Sequence, residues 1–298
     1  MYSIIGANGY LGSYIRKVIL EDTNEDLICV DMNVPETEND SRVRWVRCDI
    51  TDRESVDRVL DELSGYPEVK IVYLAAYHNP DLVQQNPQLA WNINVTSLSY
   101  FINKADFAKE IYYPSTDSVY GESNDFYHFK ESDPLNPVNI YGHNKCAAEA
   151  ILVHKGRNVV RFPFLISPSL AGKPHFYDRI VESLKEGRPF DMYADSYRSS
   201  LSFENAARLM VALIERGNRH PIVNVCGDRD LSKYDVGLMV AEREGLDPKL
   251  IVPVNMGEIT VEGFVTKRAT STLMDNSLLK EILDLEYVDI FERPKFKA

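Results

Sequence analysis

Two rhythms of apolar residues alternate along the first half of this chain. Short apolar runs occur at residues 3–5, 27–30, 43–48, 70–76, 110–114 and 159–162. Runs of that length, bounded by polar turns, predict strands of a largely buried sheet. Between them, apolar residues recur at helical spacing. Leu11, Tyr14, Ile15, Val18 and Ile19 share one face over 10–20, and Val56, Val59, Leu60 and Leu63 share one over 53–63. A long helix is expected over 87–109 and another over 139–154. Strands alternating with helices call for a parallel, doubly wound α/β sheet of the Rossmann type.

Past Pro163 the rhythm loosens. Residues 176–185, 204–216 and 232–244 have helical patterns, whereas 190–193 and 222–226 are strand-like. The expected division is a dinucleotide-binding domain over 1–165, to which segments near 200–226 return, and a smaller substrate-binding lobe over 166–298. A length of 298 residues exceeds the usual single core and fits that division.

Composition narrows the function by exclusion. The net charge is −12, and no cluster of Lys or Arg interleaves with aromatics, which argues against nucleic acid and anionic membrane surfaces. No apolar run approaches the roughly 20 residues of a membrane span. The first strand begins almost at Met1, which predicts no signal peptide and a cytoplasmic location. Cys29, Cys48, Cys146 and Cys226 lie far apart and read as reduced thiols; neither they nor the six histidines show metal-ligand spacing.

Candidate chemistry begins where the first strand meets the first helix. Gly6, Asn8, Gly9, Tyr10, Leu11 and Gly12 make a glycine-spaced turn whose backbone can approach a pyrophosphate at a helix N-terminus. Asp31 ends the second strand, where a carboxylate accepts hydrogen bonds from a ribose diol and repels a 2′-phosphate. NAD is therefore favoured over NADP, unless Arg42 or Arg44 folds back. Asp49 and Ile50 follow the third strand, with an adenine contact and a helix cap as alternative readings of Asp49. Leu74, Ala75, Ala76 and Tyr77 leave the fourth strand where the cofactor ribose would pass.

Tyr141 and Lys145, four residues apart, fall on one helical face, where an ammonium can stabilise a phenolate and lower the phenol's pKa from about 10. Thr116 emerges from the fifth strand at the carboxyl edge of the sheet, where ligands bind in this fold and a hydroxyl can hold a carbonyl oxygen. Residues 122–133 form an acidic, aromatic loop, read either as a lid or as a solvated connection.

The glycine loop, Leu74-Ala75-Ala76, Asn94-Val95, the run from Ser115 to Gly121 and the run from Pro137 to Lys145 together resemble the extended short-chain dehydrogenase/reductase family. That resemblance implies Thr116, Tyr141 and Lys145 as the catalytic group, with Asn94 supporting the active-site helix or simply satisfied within it. Residues 197–206 are similar to the stretch in which sugar-nucleotide epimerases carry an arginine, which implies Arg198 on a nucleotide pyrophosphate. Residues 267–275 resemble a C-terminal segment of dTDP-4-dehydrorhamnose reductases, with Ala269 where those enzymes have proline. Asp117 and Ser118 join Thr116 and Arg198 as substrate-side candidates. Ser118 replaces the Glu of related 4,6-dehydratases and cannot supply their second acid/base.

The resemblance thus implies an NAD(H)-dependent oxidoreductase acting on a nucleotide-linked sugar, by 4-keto reduction or by epimerisation. It also implies a homodimer through the helices starting near Pro87 and Asn139. A third reading is a non-catalytic NAD-binding regulatory subunit, as in the methionine adenosyltransferase beta subunit.

Overall fold

The computed structural model describes residues 1–123, 125–256 and 266–296. Seven parallel strands form the central sheet: β1 (Tyr2–Ile5), β2 (Leu27–Asp31), β3 (Val43–Arg47), β4 (Lys70–Tyr73), β5 (Glu110–Thr116), β6 (Asn158–Phe162) and, later in the chain, β9 (Ile222–Asn224). Their order is β3-β2-β1-β4-β5-β6-β9. The order reverses beside β1, which opens the crevice at the carboxyl ends of β1 and β4.

Helices cover both faces. On one side lies α1 (Tyr10–Asp22), whose Ile15, Val18 and Ile19 are fully buried with α8 (Phe203–Glu215). On the other lie α2 (Arg53–Ser64), α5 (Leu98–Lys104) and α6 (Ile140–His154). Each such aliphatic side chain contributes about 1.5–3 kcal/mol on burial. Asp52 caps α2 by accepting from the Glu54 and Ser55 amides.

The helix expected over 87–109 is broken into pieces. A short α3 (Pro80–Gln85) precedes it, α4 (Pro87–Trp91) runs into a π-helical turn at Asn92–Ser97, and α5 ends at Lys104. The wide turn surrounds Asn94, whose side chain is drawn away from the helix to another segment (below), the kind of local demand that π turns serve.

The smaller lobe is built from α7 (Phe176–Lys185), β7 (Phe190–Tyr193), α9 (Lys233–Arg243) and β11 (Ile251–Val254), around Ile180, Met192, Val236 and Val240. Two short strands, β8 (Tyr197–Arg198) and β10 (Leu231–Ser232), pair antiparallel between lobe and sheet. Chain order and spatial layers diverge past residue 200. Besides α8 and β9, the C-terminal α10 (Ser277–Leu283), which falls within the 166–298 stretch expected for the lobe, packs Leu279 and Leu283 into the α1–α8 layer. Among the described residues no helix is long and apolar enough to cross a membrane.

Candidate active site

At the crevice the main chain turns sharply from β1 into α1. Gly6 has φ +91°, and a Cβ there would lie 2.7 Å from the Ala75 nitrogen; a Cβ on Gly12 would lie 2.6 Å from the Gly6 carbonyl oxygen. Only glycine permits this approach of α1 to the ends of β1 and β4. Gly9 caps α1 without a side-chain hydrogen bond, and no acidic residue occupies the first turn. Among the described residues the amides of Tyr10, Leu11 and Gly12 meet no acceptor. A helix N-terminus with open amides and no acid of its own is chemically suited to a pyrophosphate.

The Asp31 carboxylate accepts from the Asn8 amide (3.0 Å) and the Asn33 amide (3.1 Å), tying the glycine loop to the end of β2. Asn8 returns a side-chain bond to the Asn33 carbonyl. Beyond Asp31 opens a cavity of about 570 Å³ lined by Met32, Asn33, Arg47, Asp49, Ser55 and Arg58. Asp49 closes a local turn, accepting from the Thr51 amide and hydroxyl, so the cap of α2 belongs to Asp52 instead. Ile50 packs into the sheet core. Arg42 donates to the Leu20 and Thr23 carbonyls, and Arg44 pairs with Glu62. The cations that reach this cavity are Arg47 and Arg58, which the sequence pattern did not single out.

Leu74 and Ala75 donate their amides to the Ile5 carbonyl and so extend the sheet edge beside the glycine loop. Ala76 and Tyr77 follow. Asn94, 1% exposed, clamps the Tyr77 peptide from both sides: its Oδ1 accepts from the amide (2.7 Å) and its Nδ2 donates to the carbonyl (3.0 Å). Asn94 therefore fixes the chain leaving β4, and the turn that carries it packs against α6. Tyr10 packs its ring on His175 (centroids 4.3 Å) and donates to the Pro174 carbonyl, linking the glycine loop to the lobe. Burial, followed by the neighbouring His78, pushes His175 down to about 4; burial also lowers His78, so both imidazoles are neutral at pH 7.

Opposite the glycine loop, Asn139 caps α6 by accepting from the Gly142 amide and donates to the Lys267 carbonyl. A Cβ on Gly142 would sit 2.8 Å from the Ser118 carbonyl oxygen, so glycine lets the helix bearing Tyr141 settle against the turn after Thr116. Lys145 is buried, and its ammonium donates to the Tyr113 hydroxyl and the Pro114 carbonyl, each at 2.9 Å. It lies 6.0 Å from the Tyr141 ring centroid. Burial brings Lys145 down to about 7 against the upward pull of Glu149. Burial and then the Asp117 carboxylate hold the Tyr141 phenol above its ordinary value.

The lowered phenol expected from the Tyr-Lys spacing is therefore not what this arrangement produces. Lys145 gives two of its three donors to Tyr113 and Pro114, and at the phenol desolvation and then Asp117 set the direction. Tyr113, at the centre of β5, carried no local signal as a partner. Beneath Lys145, Glu149 forms a buried ion pair with Arg161 (2.6 Å) and accepts from Ser115; Arg161 also donates to Tyr120. This network joins α6 to β5 and β6 under the site.

On the substrate side, Thr116 Oγ1 accepts from the Ser118 amide (3.2 Å) and donates to Asp117 (3.0 Å). Asp117 is buried between Thr272, which donates to it at 2.5 Å, and the Arg198 Nε at 3.1 Å. Arg198 is the correction here. In place of an open guanidinium fork, it is 8% exposed and donates to the carbonyls of Tyr197 (2.6 Å), Thr270 (3.1 Å) and Ala269 (2.8 Å). Its fork fastens β8 to the 269–272 segment and leaves little for a phosphate.

The loop at 122–133 is likewise held: Glu122 accepts from the Thr270 and Ser271 amides, and Phe129 exchanges main-chain bonds with Leu273 and Asp275. Asn224 donates its amide to Glu131, and His128 pairs with Asp230. These ties make it a docked connection rather than a free lid. His143 is exposed on α6.

The glycine-cornered seven-strand parallel sheet defines a Rossmann-like class of α/β protein, with Thr116, Tyr141 and Lys145 carried by β5 and α6. Within that class, the chain belongs to the RmlD substrate binding domain family, which matches residues 2–289. It is 27% identical over 258 residues to methionine adenosyltransferase 2 subunit beta of Danio rerio, covering 84% of this chain and 76% of that protein. It is also 27% identical over 270 residues to the probable low-salt glycan biosynthesis reductase Agl14 of Haloferax volcanii, covering 87% and 85%. Among solved structures, UDP-glucuronic acid 4-epimerase from Bacillus cereus, in complex with UDP-glucuronic acid and NAD, superposes with a TM-score of 0.78 at 18% identity, covering 95% and 92%, which shows the shared fold.

Proposed function

We propose that this chain is an NAD(H)-dependent oxidoreductase that reduces a keto carbon, most simply carbon 4, of a nucleotide-linked sugar. The observation that carries the reading is the placement of Tyr141 and Lys145 on α6, which Gly142 lets settle against the turn that follows Thr116. A phenol held above its ordinary value is protonated at neutral pH, the state a carbonyl oxygen needs when it takes up charge. Tyr141 donates that proton, and Thr116 holds the same oxygen by its hydroxyl. Lys145, anchored on Tyr113 and Pro114, faces the cofactor ribose and supplies positive charge beside the phenol.

The bound nicotinamide supplies the hydride. The loop of Gly6, Gly9 and Gly12 and the amides of Tyr10, Leu11 and Gly12 would receive its pyrophosphate, with Asn8 tying that loop to Asp31. Asp31 takes the adenosine ribose, Asp49 and Ile50 border the adenine, and Leu74 to Tyr77, set by Asn94, border the second ribose. Asp117 and Ser118 shape the turn that presents Thr116 to the substrate. The lobe around α7, β7, α9 and β11 covers the nucleotide. Four unpaired thiols suit a cytoplasmic setting. Exposed Leu89 and Trp91 on α4 and Val153 on α6 offer apolar surface for a second copy, which sedimentation equilibrium tests by mass.

A second reading has its own support: the similarity to methionine adenosyltransferase 2 subunit beta favours a regulatory NAD-binding subunit. NADH consumption across a panel of nucleotide-linked 4-keto sugars separates the readings. Consumption that depends on the sugar supports the reductase. Sugar interconversion with tightly held NAD and no net consumption points to an epimerase, and nicotinamide binding without conversion of any sugar points to the regulatory subunit.

A further inference from the structure

With Arg198 consumed by Asp117 and three carbonyls, the cation able to meet a substrate anion lies elsewhere. Lys233 is the first residue of α9 and directly follows β10, whose Leu231 pairs with Arg198. Its main-chain amide donates to the Ser196 carbonyl, which fixes the start of its side chain. The ammonium lies 5.1 Å from the Phe164 ring centroid and 5.8 Å from that of Tyr193. The charged groups acting on it are Arg198, Arg268 and Asp117. Arg198 is paired with Asp117, and Arg268 with Asp81 at 2.8 Å. Among the described residues, none of the three ammonium donors of Lys233 meets an acceptor. Burial, followed by the two guanidinium groups, brings it down to about 7.

A partly exposed ammonium beside the guanidinium groups of Arg198 and Arg268, with no carboxylate of its own among the described residues, becomes favourable when an anion arrives. Its place selects the anion. Lys233 belongs to the lobe, yet it directly follows β10, whose Leu231 pairs with Arg198, and Arg198 is bonded to Asp117, the residue after Thr116, which sets Lys233 on the substrate side of the sheet. A diphosphate joined to the reacting sugar carries the charge to match this ammonium; a neutral hydroxyl does not.

We propose that the Lys233 ammonium binds a phosphate oxygen of the substrate's diphosphate, the role that the resemblance to sugar-nucleotide epimerases implies for Arg198. The inference rests on the nucleotide-sugar reading and adds the residue that recognises its anion. The rings of Phe164 and Tyr193 stand beside the ammonium and favour its charged form.

Calorimetric titration of dTDP, UDP and, separately, NADH tests this with wild type, Lys233→Gln, Lys233→Met and Lys233→Arg. Wild type binds at least one nucleoside diphosphate. The Gln and Met variants weaken it by on the order of 10- to 100-fold, and Arg recovers part of the loss. NADH affinity stays at the wild-type value in all four, as does binding of thymidine and uridine, which lack the phosphates. Wild-type nucleoside diphosphate affinity in the Gln and Met variants overturns the role of Lys233 while leaving the nucleotide-sugar reading intact. Failure of wild type to bind either diphosphate overturns both. An equal loss for the phosphate-free nucleosides assigns Lys233 a structural role and overturns the proposal.

Discussion

Replacing Arg198 with Met separates a structural guanidinium from a ligand-binding one. The side chain is 8% exposed and makes an ion pair to Asp117 at 3.1 Å with bonds to three main-chain carbonyls. Removing one partner of a buried pair costs about 3–5 kcal/mol, because the other charge is left uncompensated. Thr272 continues to donate to Asp117, which softens the loss. The carbonyls of Ala269 and Thr270, released together, add to it. A net destabilisation of about 3–5 kcal/mol follows, or roughly 6–10 °C in Tm at about 2 °C per kcal/mol for a chain this long. Urea and thermal unfolding read the change directly, and NADH titration of the variant below its transition shows whether the sheet domain persists. Wild-type stability combined with selective loss of nucleoside diphosphate binding would refute the clamp and return Arg198 to the substrate.

Other perturbations give equally direct outcomes. Gly6→Ala places a Cβ against the Ala75 nitrogen at φ +91°, and is expected to destabilise by on the order of 1–3 kcal/mol and to weaken NADH binding, read by Tm and NADH fluorescence. Asp31→Ala removes the acceptor of the Asn8 amide and opens the cavity lined by Arg47 and Arg58 to a 2′-phosphate; the ratio of NADPH to NADH affinity should rise about tenfold or more, and an unchanged ratio removes Asp31 from the ribose. Lys233→Met should stabilise the ligand-free protein. Because its ammonium loses its proton at about 7 when folded but near 10.5 when unfolded, the cost of burying the charge is fully present below pH 7 and fades as pH rises towards 10.5. The gain, on the order of 1–2 kcal/mol, should therefore be largest at pH 6 and shrink towards pH 10; a gain that grows with pH contradicts the assignment.

The parts of this protein that are legible in sequence are those set by local pattern. The strands β1 to β6 are short apolar runs between polar turns, and the glycine loop is a steric requirement written in three residues. The capped α6 with Tyr141 and Lys145 is likewise local. What escaped depends on contacts between distant residues. The resemblance of residues 197–206 to an epimerase stretch implies a phosphate ligand at Arg198, but Asp117 and the carbonyls of 269–270 come to it from elsewhere in the chain. The helix expected over 87–109 widens at Asn92–Ser97, where Asn94 serves the Tyr77 peptide, a demand invisible to apolar spacing. Lys145 was paired with Tyr141 by spacing, whereas its nearest partners are Tyr113 and Pro114 on the neighbouring strand. The docking of α10 on the sheet side follows from Leu279 and Leu283 meeting α8, which no local feature announces.

The central claim is that Tyr141 protonates a sugar carbonyl as that carbon gains hydride. Label transfer from NADH deuterated at the transferable C4 position to a nucleotide-linked 4-keto sugar, read by mass spectrometry, tests it most directly. The account predicts deuterium on the product sugar with wild type and a loss of transfer by several orders of magnitude in Tyr141→Phe, with NADH affinity unchanged. Label transfer at the wild-type rate in Tyr141→Phe, or its absence in wild type holding both ligands, contradicts it.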